Sequence, residues 1–265
     1  MKIKIFLCAL AMSLNLVAST PMNLLFVDQP KTFLLSYPRS GNSWLRYCIE
    51  YLTERPTCGI LYSNPTMLGN PANLPLARMA GFSVDYTKTP IWKFHRKKEM
   101  NFLNYFNPQE EYLILILRNP KEAITRHERK VPDKKSLLKD SFSYFENLTV
   151  YDEWNPEKRL LLLYEDLIKD PRKTLEKLFT FIQESPVRSL DTFFEQYEEH
   201  KKKSLELYSD NMDGVSESQG KDTLHHSKKL TSAQRKNIDE LIEELYPHLW
   251  HTYLKYWYAE EQLTL

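Results

Sequence analysis

The segment Thr32-Phe33-Leu34-Leu35-Ser36-Tyr37-Pro38-Arg39-Ser40-Gly41-Asn42-Ser43-Trp44 decides how the chain folds. Thr32 to Tyr37 is a short, apolar, aromatic run that stops at a proline, as a buried strand does. Beyond the turn, Trp44, Leu45, Tyr47, Cys48, Tyr51 and Leu52 recur at helical spacing. Between them lies a polar turn, Pro38 to Ser43. A helix start offers backbone N–H groups without intrahelical partners and the positive end of its dipole, which together favour a phosphate. Gly41 lets the backbone approach such a ligand, and Ser40, Asn42 and Ser43 add hydrogen bonds. Arg39 adds a fixed charge that grips two oxygens at once. A polar strand-to-helix turn with a capping serine has the same composition, so both readings stand on spacing alone. The GxxxxGK[ST] loop is absent.

Strand and helix patterns alternate outward from this segment. Pro90 to His95 reads as a strand end, and Tyr112 to Leu117 as a central parallel strand, apolar on both faces. Pro120 to Lys130 reads as a charged helix with proline in its first turn. Arg159 to Tyr164 is a third buried strand. Asp170-Pro171 opens a helix with Leu175, Leu178, Phe179 and Ile182 on one face. Thr231 to Tyr246 is a last helix, capped by Thr231 or Ser232. Residues 55–90, with scattered prolines, read as a long loop, and Tyr208 to Lys229 as a mobile polar one. This order predicts a single-domain α/β fold: a P-loop-like, three-layer arrangement with a central, mainly parallel sheet flanked by helices. Ligands in such sheets bind beyond the carboxyl ends of the strands. The polar clusters 38–44, 93–96, 118–126 and 164–166 all fall there.

The chain has 265 residues, enough for one domain with a full core. Its 36 basic and 35 acidic residues leave a formal charge of +1, which gives no support to a nucleic-acid binder. Cys8, Cys48 and Cys58 form no metal-site pattern; Cys48 and Cys58 read as reduced thiols rather than a bridge. Lys2 and Lys4 precede the apolar run Ile5 to Ala18, which small residues follow. Residues 1–20 thus read as a signal peptide, placing the protein in a secretory or lumenal compartment. Met22 as the true start would make it cytoplasmic. The run is too short for a comfortable bilayer span. Asn147-Leu148-Thr149 is a glycosylation sequon, meaningful only in a secretory lumen.

Three stretches carry a resemblance. Tyr37-Pro38-Arg39-Ser40-Gly41-Asn42-Ser43-Trp44 resembles the donor loop of PAPS-dependent sulfotransferases, typically YPKSGTTW. LILILRNPKEAI, ending its strand at Arg118, resembles the family's 3′-phosphate signature. YEDLIKDPRKTLEKLFTFI, starting at Tyr164, is similar to the third recurrent stretch. The three occur in family order and bracket residues 33 to 182, making residues 21–265 a sulfotransferase domain. The resemblance implies the donor PAPS, the product PAP and no metal. Ser40 to Ser43 would wrap the 5′-phosphate, with Trp44 against the adenine and Tyr164 near the base. Arg118 would hold the 3′-phosphate. Lys93-Phe94-His95 resembles the family's Lys-Thr-His, which makes His95 the general base, with Lys93 and Arg39 neutralising the leaving phosphate.

Departures from the family pattern matter. Arg39 stands where the family has lysine, so that position keeps its charge and donates no proton. Arg126 stands where a serine is common; it or Thr125 would contact the 3′-phosphate. The late Arg-Lys-Gly has no clear counterpart; either Gln219-Gly220-Lys221 or His225 to Lys229 would cover the donor instead, or the segment is only a solvated loop. Two other functions compete. A P-loop kinase requires a Walker lysine and magnesium ligands, and neither is evident. A non-catalytic module binding a nucleotide or an anionic glycan predicts a broken base, whereas His95 is intact. The acceptor, a small molecule, glycan, lipid or peptide, is not specified; residues 55–90 and 127–158 are its candidate walls.

Overall fold

Five segments, four of them mostly apolar, bury their backbone polar groups by pairing with one another in parallel. They are β1 (Thr32–Ser36), β2 (Thr57–Gly59), β3 (Ile91–Phe94), β4 (Tyr112–Leu117) and β5 (Arg159–Leu163), in the sheet order β2-β3-β1-β4-β5. The computed structural model describes residues 32–55, 57–59, 91–95, 107–128, 134–209 and 230–254. The helices are α1 (Asn42–Thr53), α2 (Pro120–Glu128), α3 (Lys134–Glu153), α4 (Tyr164–Lys169), α5 (Pro171–Ile182), α6 (Leu190–Glu195), α7 (Tyr197–Ser209) and α8 (Ser232–Leu245). A short helical turn, Pro247–Leu249, and a π-helical turn, Trp250–Leu254, follow.

Alternation along each strand divides the core into two layers. Phe33, Leu35, Phe94, Leu113, Leu115 and Leu117 face Tyr144, Phe145 and Leu148 of α3 and Ile238 and Ile242 of α8. Leu34, Ile91, Ile114, Ile116, Leu160 and Leu162 face α1 and α5. The sheet with helices on both faces is the three-layer α/β fold the sequence predicts. From β1 the chain runs out to the edge at β2, returns to β3, and crosses to β4 on the other side of β1. The strand order therefore reverses about β1, and the crevice beyond its carboxyl end is the ligand position in such sheets.

The helix ends follow local chemistry. Thr231 caps α8 in a reciprocal box with Gln234, and Asp170 caps α5 through the Lys173 N–H. Cys48 is a free, buried thiol, its pKa raised by burial. Several elements escaped the sequence reading. The edge strand β2 lies inside the segment read as loop; at three residues it is too short to show alternation. It is held instead by buried Glu50, which accepts from the N–H and hydroxyl of Thr57, and by Arg46, whose Nε donates to Thr57 Oγ1 at 2.7 Å. Within 127–158, a candidate acceptor wall, α3 places Tyr144, Phe145 and Leu148 in the core. Helices α6 and α7 were also unforeseen. Residues 1–20, read as a signal peptide, Met22, residues 60–90 and residues 210–229 lie outside the described residues.

Candidate active site

Polar groups gather at the carboxyl end of β1. Arg39 and Gly41 both adopt left-handed backbone, φ 71° and 89°, which bends the chain sharply into α1. Glycine is required at the second position for another reason: a methyl group there would lie 2.3 Å from Cδ2 of Tyr164. α1 has no side-chain cap, and its ladder begins with Leu45 N–H donating to Gly41 O at 3.0 Å. The preceding N–H groups thus keep the donor character of a helix start. Ser40 Oγ is buried without a hydrogen-bond partner among the described residues. A buried hydroxyl beside an uncapped helix start fits an anionic group.

Arg118 leaves β4 at the same level. It is only 2% exposed, donates from Nη1 to Arg39 O at 2.9 Å, and stacks its guanidinium 4.1 Å from the ring centre of Tyr164. Its own carbonyl accepts from Tyr144 Oη at 2.5 Å. The sheet register explains the meeting: Leu117 pairs with Leu163, so Arg118 and Tyr164 leave neighbouring strands at one level. Tyr164 begins α4, and Glu165 beside it accepts from Asn119 N–H at 3.0 Å. The loop, Arg118 and Tyr164 form one contiguous surface.

His95 sits on the other flank of β1. Leu35 pairs with Phe94, so Ser36 and His95 are the next level outward. His95 Nδ1 lies 2.9 Å from Ser36 O, an acceptor only. That contact calls for the ring proton on Nδ1, and in the neutral ring this leaves the lone pair on Nε2. Ser36 Oγ lies 3.5 Å from the same nitrogen and accepts from Asn42 Nδ2 at 2.8 Å. Asn147 Nδ2 donates to His95 O at 3.0 Å. Lys93, two residues earlier and half-buried, pairs in register with Leu34 and so shares the α1 face of the sheet.

Other expected residues have mixed placements. Asn42 spends an amide hydrogen on Ser36. Ser43 is half-buried in the first turn of α1. Trp44 stacks on Tyr47 at 5.7 Å and Phe193 at 6.3 Å, and meets Tyr197 edge-on at 5.6 Å. It belongs to an aromatic cluster joining α1 to α6 and α7. Arg126 and Thr125 lie within α2, and their side chains fall outside the described residues. The sequon is corrected: Asn147 is buried in α3 with its amide on His95, so it presents no free glycosylation acceptor. Ser36 and Asn147 escaped the sequence reading. A lone polar residue ending an apolar strand is a signal for Ser36; nothing local marks Asn147. Among the described residues, no cluster of His, Cys, Asp and Glu could hold a metal, and no helix is long and apolar enough to cross a membrane.

Comparison with known proteins gives one family. The sulfotransferase domain model matches residues 29–250. Among solved structures, a mouse sulfotransferase complexed with PAP is 18% identical over 82% of this chain and 85% of its own, with a TM-score of 0.49. The sulfotransferase domain of the Synechococcus olefin synthase is 18% identical over 81% of this chain and 94% of its own, with a TM-score of 0.44. No curated protein sequence matches the chain.

Proposed function

The chain belongs to the sulfotransferase domain family, and from that premise we propose that it moves a sulfuryl group from PAPS to an acceptor hydroxyl or amine, releasing PAP, with His95 as general base. The observation that carries this reading is the convergence around the end of β1 of an uncapped helix start, the buried Ser40 hydroxyl, buried Arg118 and His95 with its Nδ1 against the Ser36 carbonyl. Together they supply two anion-binding groups and a base.

PAPS, when bound, supplies the activated sulfuryl group. Ser40 to Ser43 and the first N–H groups of α1 hold its 5′-phosphosulfate, and Arg118 with Arg126 its 3′-phosphate. Trp44 and Tyr164 flank the adenine. His95 Nε2 takes the acceptor's proton as the acceptor atom bonds to sulfur and the bond from sulfur to the 5′-phosphate oxygen breaks. The electron pair stays on the phosphate, where Arg39 and Lys93 balance the new charge. As His95 becomes imidazolium, its Nδ1–H bond to Ser36 O becomes charge-assisted and stronger. Arg39 acts by charge and hydrogen bonding, with no proton transfer, since guanidinium does not give up a proton at neutral pH.

Calorimetric titration with PAP, with ATP as control, tests the donor site. Arg118→Ala is expected to weaken PAP binding about 10–100-fold, the worth of a hydrogen bond to a charged group. Arg118→Lys, which keeps charge and loses the fork, is expected to fall between. Undiminished PAP affinity in Arg118→Ala, or equal affinity for ATP, overturns the assignment and favours a degenerate fold with another ligand.

A further inference from the structure

Asn147 is 52 residues from His95 in sequence and belongs to neither the donor loop nor the strand that carries the base. The fold nevertheless seats it against that base. β3 ends at Phe94, whose pairing with Leu35 is the last in its ladder with β1. His95 is the first residue beyond the strand, where ladder pairing no longer fixes the main chain. α3 passes this point, and Asn147 Nδ2 donates to His95 O at 3.0 Å. At the other end of the same residue, the ring donates to Ser36 O at 2.9 Å. The base is thus held by its backbone from α3 and by its ring from β1.

The setting of Asn147 speaks against a purely packing role. It is 1% exposed, in a helix whose neighbouring core positions are Tyr144, Phe145 and Leu148. Its Oδ1 has no hydrogen-bond partner among the described residues. A buried amide oxygen left so is a burden on stability that an apolar side chain of the same size would not carry. What asparagine provides here is the donor to His95 O.

We propose that Asn147 is a positioning residue for the base: it fixes the main chain of His95 so that Nδ1 stays on the Ser36 carbonyl and Nε2 stays the proton acceptor. The proposal rests on the reading of His95 as general base. Asn147 acts through the His95 carbonyl, to which its amide donates. Its loss lets the imidazole leave the Ser36 carbonyl, and a general base displaced by about 1 Å loses on the order of a hundredfold in rate.

The test uses the full chain labelled with nitrogen-15 histidine, its His95 signals identified by their loss in His95→Gln. Unsubstituted protein is expected to show the Nδ1-protonated tautomer, with Nε2 unprotonated at pH 8. Asn147→Leu removes the donor, and Asn147→Asp sets a carboxylate against the His95 carbonyl; both are expected to give signals averaged between tautomers. PAP affinity is expected to stay within about twofold in both variants, since the donor groups are untouched. The kcat for release of labelled sulfate from PAPS to water is expected to fall ~10–100-fold, with the KM for PAPS little changed. Unaltered His95 signals in both folded variants overturn the proposal. Unfolding of both, read by loss of PAP binding, also overturns it by assigning Asn147 to the core. If His95→Gln retains sulfate release, the general-base reading fails, while the tautomer comparison still decides what Asn147 does.

Discussion

Gly41 carries two constraints at one position. Its φ of 89° lies where an L side chain is strained, and an added methyl would sit 2.3 Å from Tyr164 Cδ2 and 2.7 Å from Cε2. Relieving that overlap moves the Tyr164 ring, which also bears the Arg118 guanidinium. Gly41→Ala is therefore expected to destabilise the fold by about 1–3 kcal/mol, from backbone strain and overpacking. It is also expected to weaken PAP binding by more than an equally destabilising core substitution does. Chemical denaturation and calorimetry on Gly41→Ala and Leu178→Ala make the comparison; equal losses of affinity would detach Gly41 from the donor site. Arg39, also at positive φ, lacks glycine's freedom, and the bond from Arg118 to its carbonyl holds that bend.

Helix α7 docks onto α1 through a buried histidine. His200 is 5% exposed, bonds through Nδ1 to Tyr47 Oη at 2.9 Å, and lies 4.6 Å from the Phe193 ring and 4.2 Å from that of Tyr51. Burial above all, then Lys203 and Arg188, lowers its pKa, while Glu199 opposes them. Above about pH 6.5 the histidine is neutral in both folded and unfolded chains and contributes no pH dependence. As pH falls through that value the unfolded chain takes up the proton first, so stability declines with acidification. Melting temperature is expected to drop less between pH 7 and 5 in His200→Gln, which keeps a polar partner for Tyr47. Parallel curves for the two proteins would refute this. Because Tyr197 of α7 meets Trp44, loosening the helix in acid also disturbs the aromatic cluster beside the turn from Pro38 to Ser43.

For the molecule as a whole, a ligand bridging β1, β4 and α4 ties both sides of the switch point together. PAP at about 100 times its dissociation constant is expected to stabilise the fold by ~2.7 kcal/mol, raising the melting temperature roughly 5–10 °C. ATP at the same concentration is expected to do little. A thermal scan with both nucleotides decides it, and equal shifts would remove the case for a PAPS-type donor. The polar strand ends where such a ligand is proposed to sit were legible in local sequence. Apolar runs ending at Tyr37, Arg118 and Tyr164, each followed by a turn or helix start, announced parallel strands with polar carboxyl ends. Strand length, helix caps at Thr231 and Asp170, and the Arg39 to Trp44 turn needed only neighbouring residues, because periodicity and capping are local properties. Which strands lie side by side was not legible, since an apolar face specifies burial and not a partner. The tertiary structure alone brought His95 to Ser36 across 59 residues, Arg118 to Arg39 across 79 and Asn147 to His95 across 52. The first two contacts are set by sheet order and register and the third by the packing of α3, all of which form when the whole core closes and every strand must match its neighbours at once.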